Sequence, residues 1–409
     1  MRILITNIKK LLHTYTKDNS PLVLKGAAMN QLPSIENAYL IVENDVIHAY
    51  GAMGNLNTEQ TADKTIDAKQ GIVMPAWIDS HTHLVHAATR EEEFAMRIAG
   101  VSYEEIAAKG GGILNSAAKL QATSEDDLFD KSLARLYAAK NLGTGIIEIK
   151  SGYGLSVDAE IKMLRVIKRL QAEKVMPIKA TFLGAHAYPV EFKNNHQGYI
   201  DLICKKMIPQ IAAEGLAEYI DAFCEKGFFS VEETSAILEC GIAHGLKPKI
   251  HANQLHNSGG VQCGVKYNAI SVDHLESMDT PEVECLLQSN TMPVLLPGAA
   301  FFLAMHYQPA RMLIDAGLPV ALASDYNPGS CPSFNMNFVT SLACTQMKMT
   351  TAEAINACTI NAAAALEMSA EYGTITVGKK ANLIITKPID NEALLPYWYG
   401  ESLVREVIN

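Results

Sequence analysis

The sequence predicts an α/β protein in which a (β/α)8 TIM-like barrel is joined by a small β-sandwich domain built from the two chain ends. Three observations carry this expectation. Between about residues 72 and 330, eight short apolar, β-rich runs alternate with longer segments of helical periodicity. Those runs end in histidines and an aspartate, and the carboxyl ends of the strands are where such a barrel places its chemistry. Outside them, residues 1–71 and 366–409 share a texture of short strands and turns. The expected division is therefore 1–71 and 366–409 for the small domain and 72–365 for the barrel.

The segment Met1-Arg-Ile-Leu-Ile-Thr-Asn leads into a short alternating strand, and Ala38–Glu43 and Val46–Tyr50 read as two more before Gly51. The barrel strands are expected near Val73–Ile78, Gly145–Ile149, Ile178–Leu183, Tyr219–Cys224, Pro248–His251, Ala269–Asp273, Met292–Leu296 and Pro319–Ala323. The first crossover, 84–143, is too long for one helix. It reads as an elaborated loop over the barrel mouth, with a helical stretch after Arg90-Glu-Glu-Glu-Phe and a second helix after Gly110-Gly111-Gly112. Lys109 precedes that triplet and no Gly-Lys-Ser/Thr follows it, so it reads as a flexible turn without a phosphate ligand. A last helix is expected over Thr351–Leu366, with Thr350 as its cap and Glu353 at the third helical position. Residues 373–386 return to short-strand texture and pair with the first 70 residues.

Composition excludes several classes of function. A chain of 409 residues that is 48% hydrophobic can bury a large core, and its net charge of −10 lacks the clustered Lys and Arg that nucleic acid requires. The eight cysteines show no Cys-x-x-Cys spacing, so neither a disulfide framework nor a zinc knuckle is indicated. No apolar run approaches membrane-spanning length, and the opening residues do not resemble a secretory leader. A cytoplasmic enzyme acting on a small molecule, with no nucleic-acid or membrane partner, is expected. Monomer and homodimer both remain open.

The most specific motif is His81-Thr82-His83 at the end of the first barrel strand. Side chains at i and i+2 share one face, about 6.6 Å apart along the backbone, so both imidazoles can reach one ion. With His251 closing the fifth strand and Asp325 after the eighth, three imidazoles and a carboxylate form a ligand set for zinc or iron. Such an ion generates hydroxide at neutral pH, which is hydrolytic chemistry. Asp325 is placed to take the water's proton and pass it to a leaving nitrogen, and His274, ending the sixth strand, to hydrogen-bond a carbonyl oxygen as charge develops.

The stretches His81-Thr-His-Leu-Val-His-Ala-Ala-Thr-Arg-Glu-Glu-Glu-Phe, Glu148-Ile-Lys-Ser-Gly-Tyr-Gly-Leu, Thr181-Phe-Leu-Gly-Ala-His-Ala, Ser271-Val-Asp-His-Leu-Glu and Ser324-Asp-Tyr-Asn-Pro-Gly-Ser resemble the imidazolonepropionase family of the amidohydrolase superfamily. The resemblance spans nearly the whole chain. It implies hydrolysis of a cyclic-amide carbon–nitrogen bond, converting 4-imidazolone-5-propanoate to N-formimidoyl-L-glutamate in histidine degradation, with one Zn(2+) or Fe(3+). It also implies metal ligands at His81, His83, His251 and Asp325, and substrate contacts at Arg90, Tyr153, His186, Gln254 and Ser330. Asn327 and Gly329 match positions that hold the product. The chemistry is apt, because an arginine fork suits the propionate tail and a tyrosine hydroxyl and an imidazole can assist it. Taken alone, Arg90 ahead of three glutamates reads equally as a helix-start ion pair, and Tyr153 as a packed turn residue.

One departure stands out. Relatives often carry an acidic residue where this chain has Asn253, and either Glu or Gln at position 254. Gln254 orients a ring or water by hydrogen bonding but moves no proton, which leaves proton transfer to Asp325 and His274. Gln254 also counts against a purine or cytosine aminohydrolase, where a glutamate at that place protonates the ring. A dinuclear amidase with a carboxylated bridging lysine is disfavoured because Lys150 lies on the second strand and the fourth offers only Asp221-Ala-Phe-Cys-Glu. A catalytically dead scaffold on the same barrel is disfavoured by the retention of Asp325, His274 and Arg90 together. The remaining histidines, among them His13, His86 and His256, are read as packed or surface residues without partners. Cys224 and Cys331, near the mouth, are read as packing residues.

Overall fold

The computed structural model describes residues 1–409 except 58–60, 102–104 and 106–110. Strands β1 (Arg2–Leu12), β2 (Ser34–Glu43), β3 (Val46–Ala52), β4 (Lys64–Asp67) and β5 (Gly71–Pro75) come from the N-terminal part of the chain. Strands β6 (Trp77–Asp79), β7 (Thr144–Lys150), β8 (Ile178–Ala185), β9 (Tyr219–Cys224), β10 (Lys247–Ala252), β11 (Ser271–His274), β12 (Met292–Leu295) and β13 (Ala321–Leu322) follow in strict order as one parallel eight-stranded sheet. Strands β14 (Leu383–Pro388) and β15 (Val404–Ile408) return to the first five in a seven-stranded sheet of order β15-β14-β5-β1-β2-β3, with β4 pairing beside β1.

The eight-stranded sheet is a nearly closed barrel. Its seam joins the ends of the first and eighth strands: the Asp325 amide donates to His81 O at 3.1 Å, and the His83 amide to Tyr326 O at 2.8 Å. Below it the buried Asp79 carboxylate accepts from the Ser324 amide at 2.9 Å and hydroxyl at 2.6 Å. The His-x-His strand end and the Asp325 loop are thereby fixed to one another by backbone.

In the terminal sheet, Ile3, Ile5, Ile8 and Leu11 of β1 pack with Leu40, Val42, Ile66, Val73, Leu383 and Ile385. The alternation shifts between Ile5 and Ile8, where Asn7 adopts φ 52°, so that a bulge returns the apolar side chains to the core.

Three expectations need correction. The run Val73–Ile78 is not one strand: β5 pairs with β14 and β1 in the terminal sheet, and β6 opens the barrel. Between them the Ala76 amide donates to Asn382 O at 2.9 Å, and because both stretches are buried, their shared hydrophobicity conceals the change of sheet. The helix expected over Thr351–Leu366 is two, Thr351–Ala357 and Ile360–Ala364. Cys358 O accepts instead from the Ile78 amide of β6 at 2.9 Å, and the Thr359 hydroxyl donates to Ile355 O at 2.6 Å, which diverts the helical ladder. The Thr350–Glu353 capping box is formed. The second helix of the long crossover is also broken, into Ile113–Ala122 and Glu125–Asn141, because the Ser124 hydroxyl caps the latter by accepting from the Asp127 amide at 3.1 Å. Of the glycine turn, Lys109 and Gly110 lie outside the described residues, and Gly112 takes φ 86° at the start of the following helix.

Candidate active site

Every residue singled out from the sequence for chemistry reaches the carboxyl-end face of the barrel. The rings of His81 and His251 lie 4.5 Å apart centre to centre, His81 and His83 5.5 Å, and His251 and His274 5.2 Å. Asp325 Oδ1 is 3.6 Å from Nε2 of both His81 and His83. His274, Asp325 and Asn253 hold φ of 86°, 55° and 54°, a left-handed backbone that non-glycine residues keep only where surroundings enforce it.

The second layer explains how the rings are aimed. His81 Nδ1 is 2.6 Å from Asp273 Oδ2, and a carboxylate there only accepts, so Nδ1 carries the hydrogen and Nε2 turns a lone pair inward. His251 Nδ1 stands 2.9 Å from Asp221 Oδ2, while its backbone amide donates to Asp221 Oδ1 at 3.1 Å. Both aspartates face Lys150, whose Nζ lies 2.9 Å from Asp221, 3.7 Å from Asp273 and 2.7 Å from Glu148. Lys150 is therefore a fully buried counter-cation within a set of carboxylates and not a bridge between two ions. A lone buried ammonium costs several kcal/mol, so these partners are what let it stay charged.

Burial, with Lys150 adding to it, holds the His81 ring well below its ordinary pKa, and burial beside His186 does the same for His83. Neutral imidazole is the form that binds a metal. For His274, burial is the largest influence and pulls the ring down, yet the Glu276 carboxylate 3.5 Å away, with Asp325 and Asp273, outweighs it and the ring sits above its ordinary value. Glu276 is itself steadied by Gln308, whose amide donates at 2.8 Å. Burial likewise raises the Asp325 carboxyl, against the pull of His274 and His251.

The donor set fits a metal ion. Nε2 of His81 and of His251 are buried and meet no hydrogen-bond partner among the described residues. One donor atom from each of His81, His83 and Asp325 falls within 4.8 Å of the others, and the same holds for His81, His251 and His274.

Above this set opens a cavity of about 430 Å³, lined by Arg90, Tyr153, His186, Gln254, Asn327, Gly329 and Ser330 together with Phe223 and Phe228. A narrow space of about 50 Å³ continues from it to His83, His251, His274 and Asp325. The predicted substrate contacts thus share one chamber with the candidate metal ligands. Burial pushes the Tyr153 hydroxyl up, so it stays a neutral donor, and it lowers His186 to about 3, a ring whose Nδ1 sits 3.0 Å from Gly152 O. The loop after Asp325 is self-braced: the Asn327 side-chain amide donates to Asp325 O at 2.7 Å and to the Ser330 hydroxyl at 2.6 Å, while its oxygen accepts from the Gly329 and Ser330 amides. That hydroxyl in turn lies 3.2 Å from Asp325 Oδ2. Arg90 ion-pairs with Glu93 at the helix start and also lines the cavity.

Sequence reasoning missed Asp221, Asp273, Glu276 and Glu93. Each aspartate falls on an inward position of a predicted strand, which is the signal that was available. His86, read as lacking a partner, has Nδ1 3.0 Å from His83 O, and His256 Nδ1 lies 3.1 Å from Glu225. Burial raises the thiols of Cys331 and of Cys224, the latter to about 11, consistent with packing.

The barrel and its histidine–aspartate floor are those of metal-dependent amide and amine hydrolases, and the model of the amidohydrolase family matches residues 72–407. Curated relatives named imidazolonepropionase, from Flavobacterium johnsoniae and Christiangramia forsetii, are 55% and 54% identical over 408 and 407 residues, covering 100% of this chain and 98% of each relative. Among solved structures, an E. coli guanine deaminase superposes with a TM-score of 0.72 at 12% identity, covering 98% of this chain and 91% of that one. A zinc-bound adenosine deaminase from Xanthomonas campestris reaches 0.68 at 15%, covering 99% and 91%, and at such identities the likeness speaks for the fold alone. The chain belongs to the amidohydrolase family and, within it, to the imidazolonepropionases.

Proposed function

We propose that the protein hydrolyses the ring amide of 4-imidazolone-5-propanoate to N-formimidoyl-L-glutamate, using one Zn(2+) or Fe(3+) held by His81, His83, His251 and Asp325. The observation that carries the reading is the continuity of the cavity: Arg90, whose fork suits a carboxylate, lines the same chamber that narrows onto the histidine–aspartate floor. The bound ion would lower the pKa of a water and polarise the scissile carbonyl.

The chain's own groups supply the rest. Asp325, with its carboxyl raised by burial, takes a proton from the attacking water and gives it to the departing ring nitrogen. His274, whose ring faces Glu276 3.5 Å away, donates a hydrogen bond to the carbonyl oxygen as negative charge gathers there. Arg90 receives the propionate, assisted by the Tyr153 hydroxyl and the His186 imidazole, and Gln254 orients the ring without exchanging protons. Ser330, Asn327 and Gly329 face the carboxylate that ring opening creates.

The two-domain division belongs to the same proposal, with its first boundary moved from residue 71 to Ala76 because β5 lies in the terminal sheet, and the terminal sheet acting as a brace for the barrel. No helix among the described residues is long and apolar enough to cross a membrane, and all eight cysteines are free, which suits a cytoplasmic enzyme. The test is an ultraviolet assay of freshly prepared 4-imidazolone-5-propanoate before and after metal removal. Loss of imidazolone absorbance that stops on stripping and resumes with zinc or iron supports the reading. No turnover by metal-loaded protein withdraws the substrate.

A further inference from the structure

Two arginines line the cavity, and their charges are not equally available. Nε of Arg90 donates to Glu93 Oε2 at 2.9 Å, Nη2 reaches the same oxygen, and the other Glu93 oxygen accepts from the Gly112 amide at 3.0 Å. Arg90 is thus matched by a carboxylate of the cavity wall. Its Nη1 lies against Gly329, where a Cβ would stand only 2.3 Å from it. Arg97 follows two turns along the same helix, Glu91–Ile98, and forms no ion pair among the described residues. Its guanidinium lies over the Phe302 ring, 5.1 Å from the centroid, and Phe302 stacks on Phe94 at 5.3 Å.

The described charged groups of the cavity wall are Arg90, Glu93 and Arg97, so Arg97 makes their sum positive. Much of the remaining wall is apolar: Ile113, Phe223, Phe228, Leu255 and Leu303. A chamber of this kind fits a short, largely apolar ligand that ends in one negative charge. A cation pre-set on an aromatic face and part-buried attracts such a group strongly and loses little freedom in doing so.

We infer that Arg97 is a specificity-determining residue that selects substrates carrying a carboxylate tail. The inference rests on the proposed reaction for the identity of the substrate, and on the cavity alone for the sign of its charge. Arg90 fixes the tail, and Arg97 supplies the uncompensated field that draws a monoanion in and discriminates against the neutral analogue.

Arg97→Met keeps a stem against Phe302 and removes the charge, whereas Arg97→Lys keeps the charge. The zinc-loaded wild-type protein and both variants are titrated calorimetrically with imidazole-4-propionate and with its neutral carboxamide, at low and moderate salt. The wild type is expected to prefer the acid at least tenfold. Arg97→Met loses about tenfold in affinity for the acid with the carboxamide unchanged, shows a flatter salt dependence, and Arg97→Lys restores most of the preference. Equal binding of acid and carboxamide by the wild type, a full preference retained by Arg97→Met, or equal weakening of both ligands overturns the assignment, the last marking a packing role only. On 4-imidazolone-5-propanoate, KM rises about tenfold in Arg97→Met with kcat within twofold. Absence of wild-type turnover alongside a preserved acid preference withdraws the proposed reaction and leaves the role of Arg97 standing.

Discussion

Replacing Asp273 by asparagine isolates what the second layer contributes to the metal site. Asp273 Oδ2 lies 2.6 Å from His81 Nδ1, and its other oxygen accepts from the Ser271 hydroxyl at 2.5 Å. Asparagine is nearly isosteric and keeps one oxygen, so the side chain fills the same space while the charge that enhances the basicity of the His81 ring is gone. Lys150 retains Glu148 at 2.7 Å and Asp221 at 2.9 Å, so the variant leaves no orphaned buried cation. Loss of a carboxylate behind a ligating histidine costs about 10–100-fold in metal affinity, which is about 1.4–2.7 kcal/mol. The lower half of that range is expected, because the amide oxygen still accepts from Nδ1. The assay is zinc competition against a chromophoric chelator, with thermal unfolding of the metal-free protein as control. A zinc affinity within twofold of wild type, in a protein that unfolds normally, would refute the claim that Asp273 sets the donor strength of His81.

His274→Ala should retain its metal, measured by elemental analysis, while kcat falls about 10²–10³-fold, the usual cost of one donor to a developing oxyanion; unchanged turnover removes His274 from the mechanism. Arg90→Ala should chiefly raise KM for the tailed substrate, and a KM that stays put in steady-state kinetics means the carboxylate clamp is misassigned. His13 gives a pH prediction unconnected with the site. Burial, with Lys379 adding to it, lowers its pKa to about 3 from 6.5, so the unfolded chain binds the extra proton. Its contribution to stability is complete above pH 6.5 and is lost at about 1.4 kcal/mol per pH unit as the pH falls toward 3, or about 2 kcal/mol between pH 7.5 and 5. His13→Asn, which tolerates the native φ of 64°, should flatten the pH dependence of denaturant-measured stability by that amount; parallel curves for variant and wild type would contradict it.

How much of this was legible beforehand depends on the kind of signal. Barrel strands announce themselves by short buried runs, and a strand's two-residue period makes His81 and His83 converge without any knowledge of their partners. Arg90, Tyr153, His186 and Asn327 carry no such geometric signature, and only the likeness of whole motifs drew them together. The change of sheet at Ala76 stayed hidden because the apolar run Val73–Ile78 continues through it. A periodicity reports burial, not which neighbour does the burying.

The charged layer under the rings was hidden for a different physical reason. Asp221, Asp273, Glu148 and Lys150 are spread over three strands and 126 positions, so no contiguous motif marks them as one set. Burying any one alone would be prohibitive, and their presence makes sense only as a set. Lys150 balances the carboxylates, the carboxylates fix the imidazole hydrogens, and the imidazole lone pairs then converge on a point that no hydrogen bond satisfies. Such a layer stabilises the fold weakly, since a well-packed apolar core of the same volume would do as well. Its effect is to hold the rings in one tautomer and one orientation. The sequence-level oddity of a lysine inside a barrel strand is thus better explained by the demands of the site above it than by the stability of the barrel.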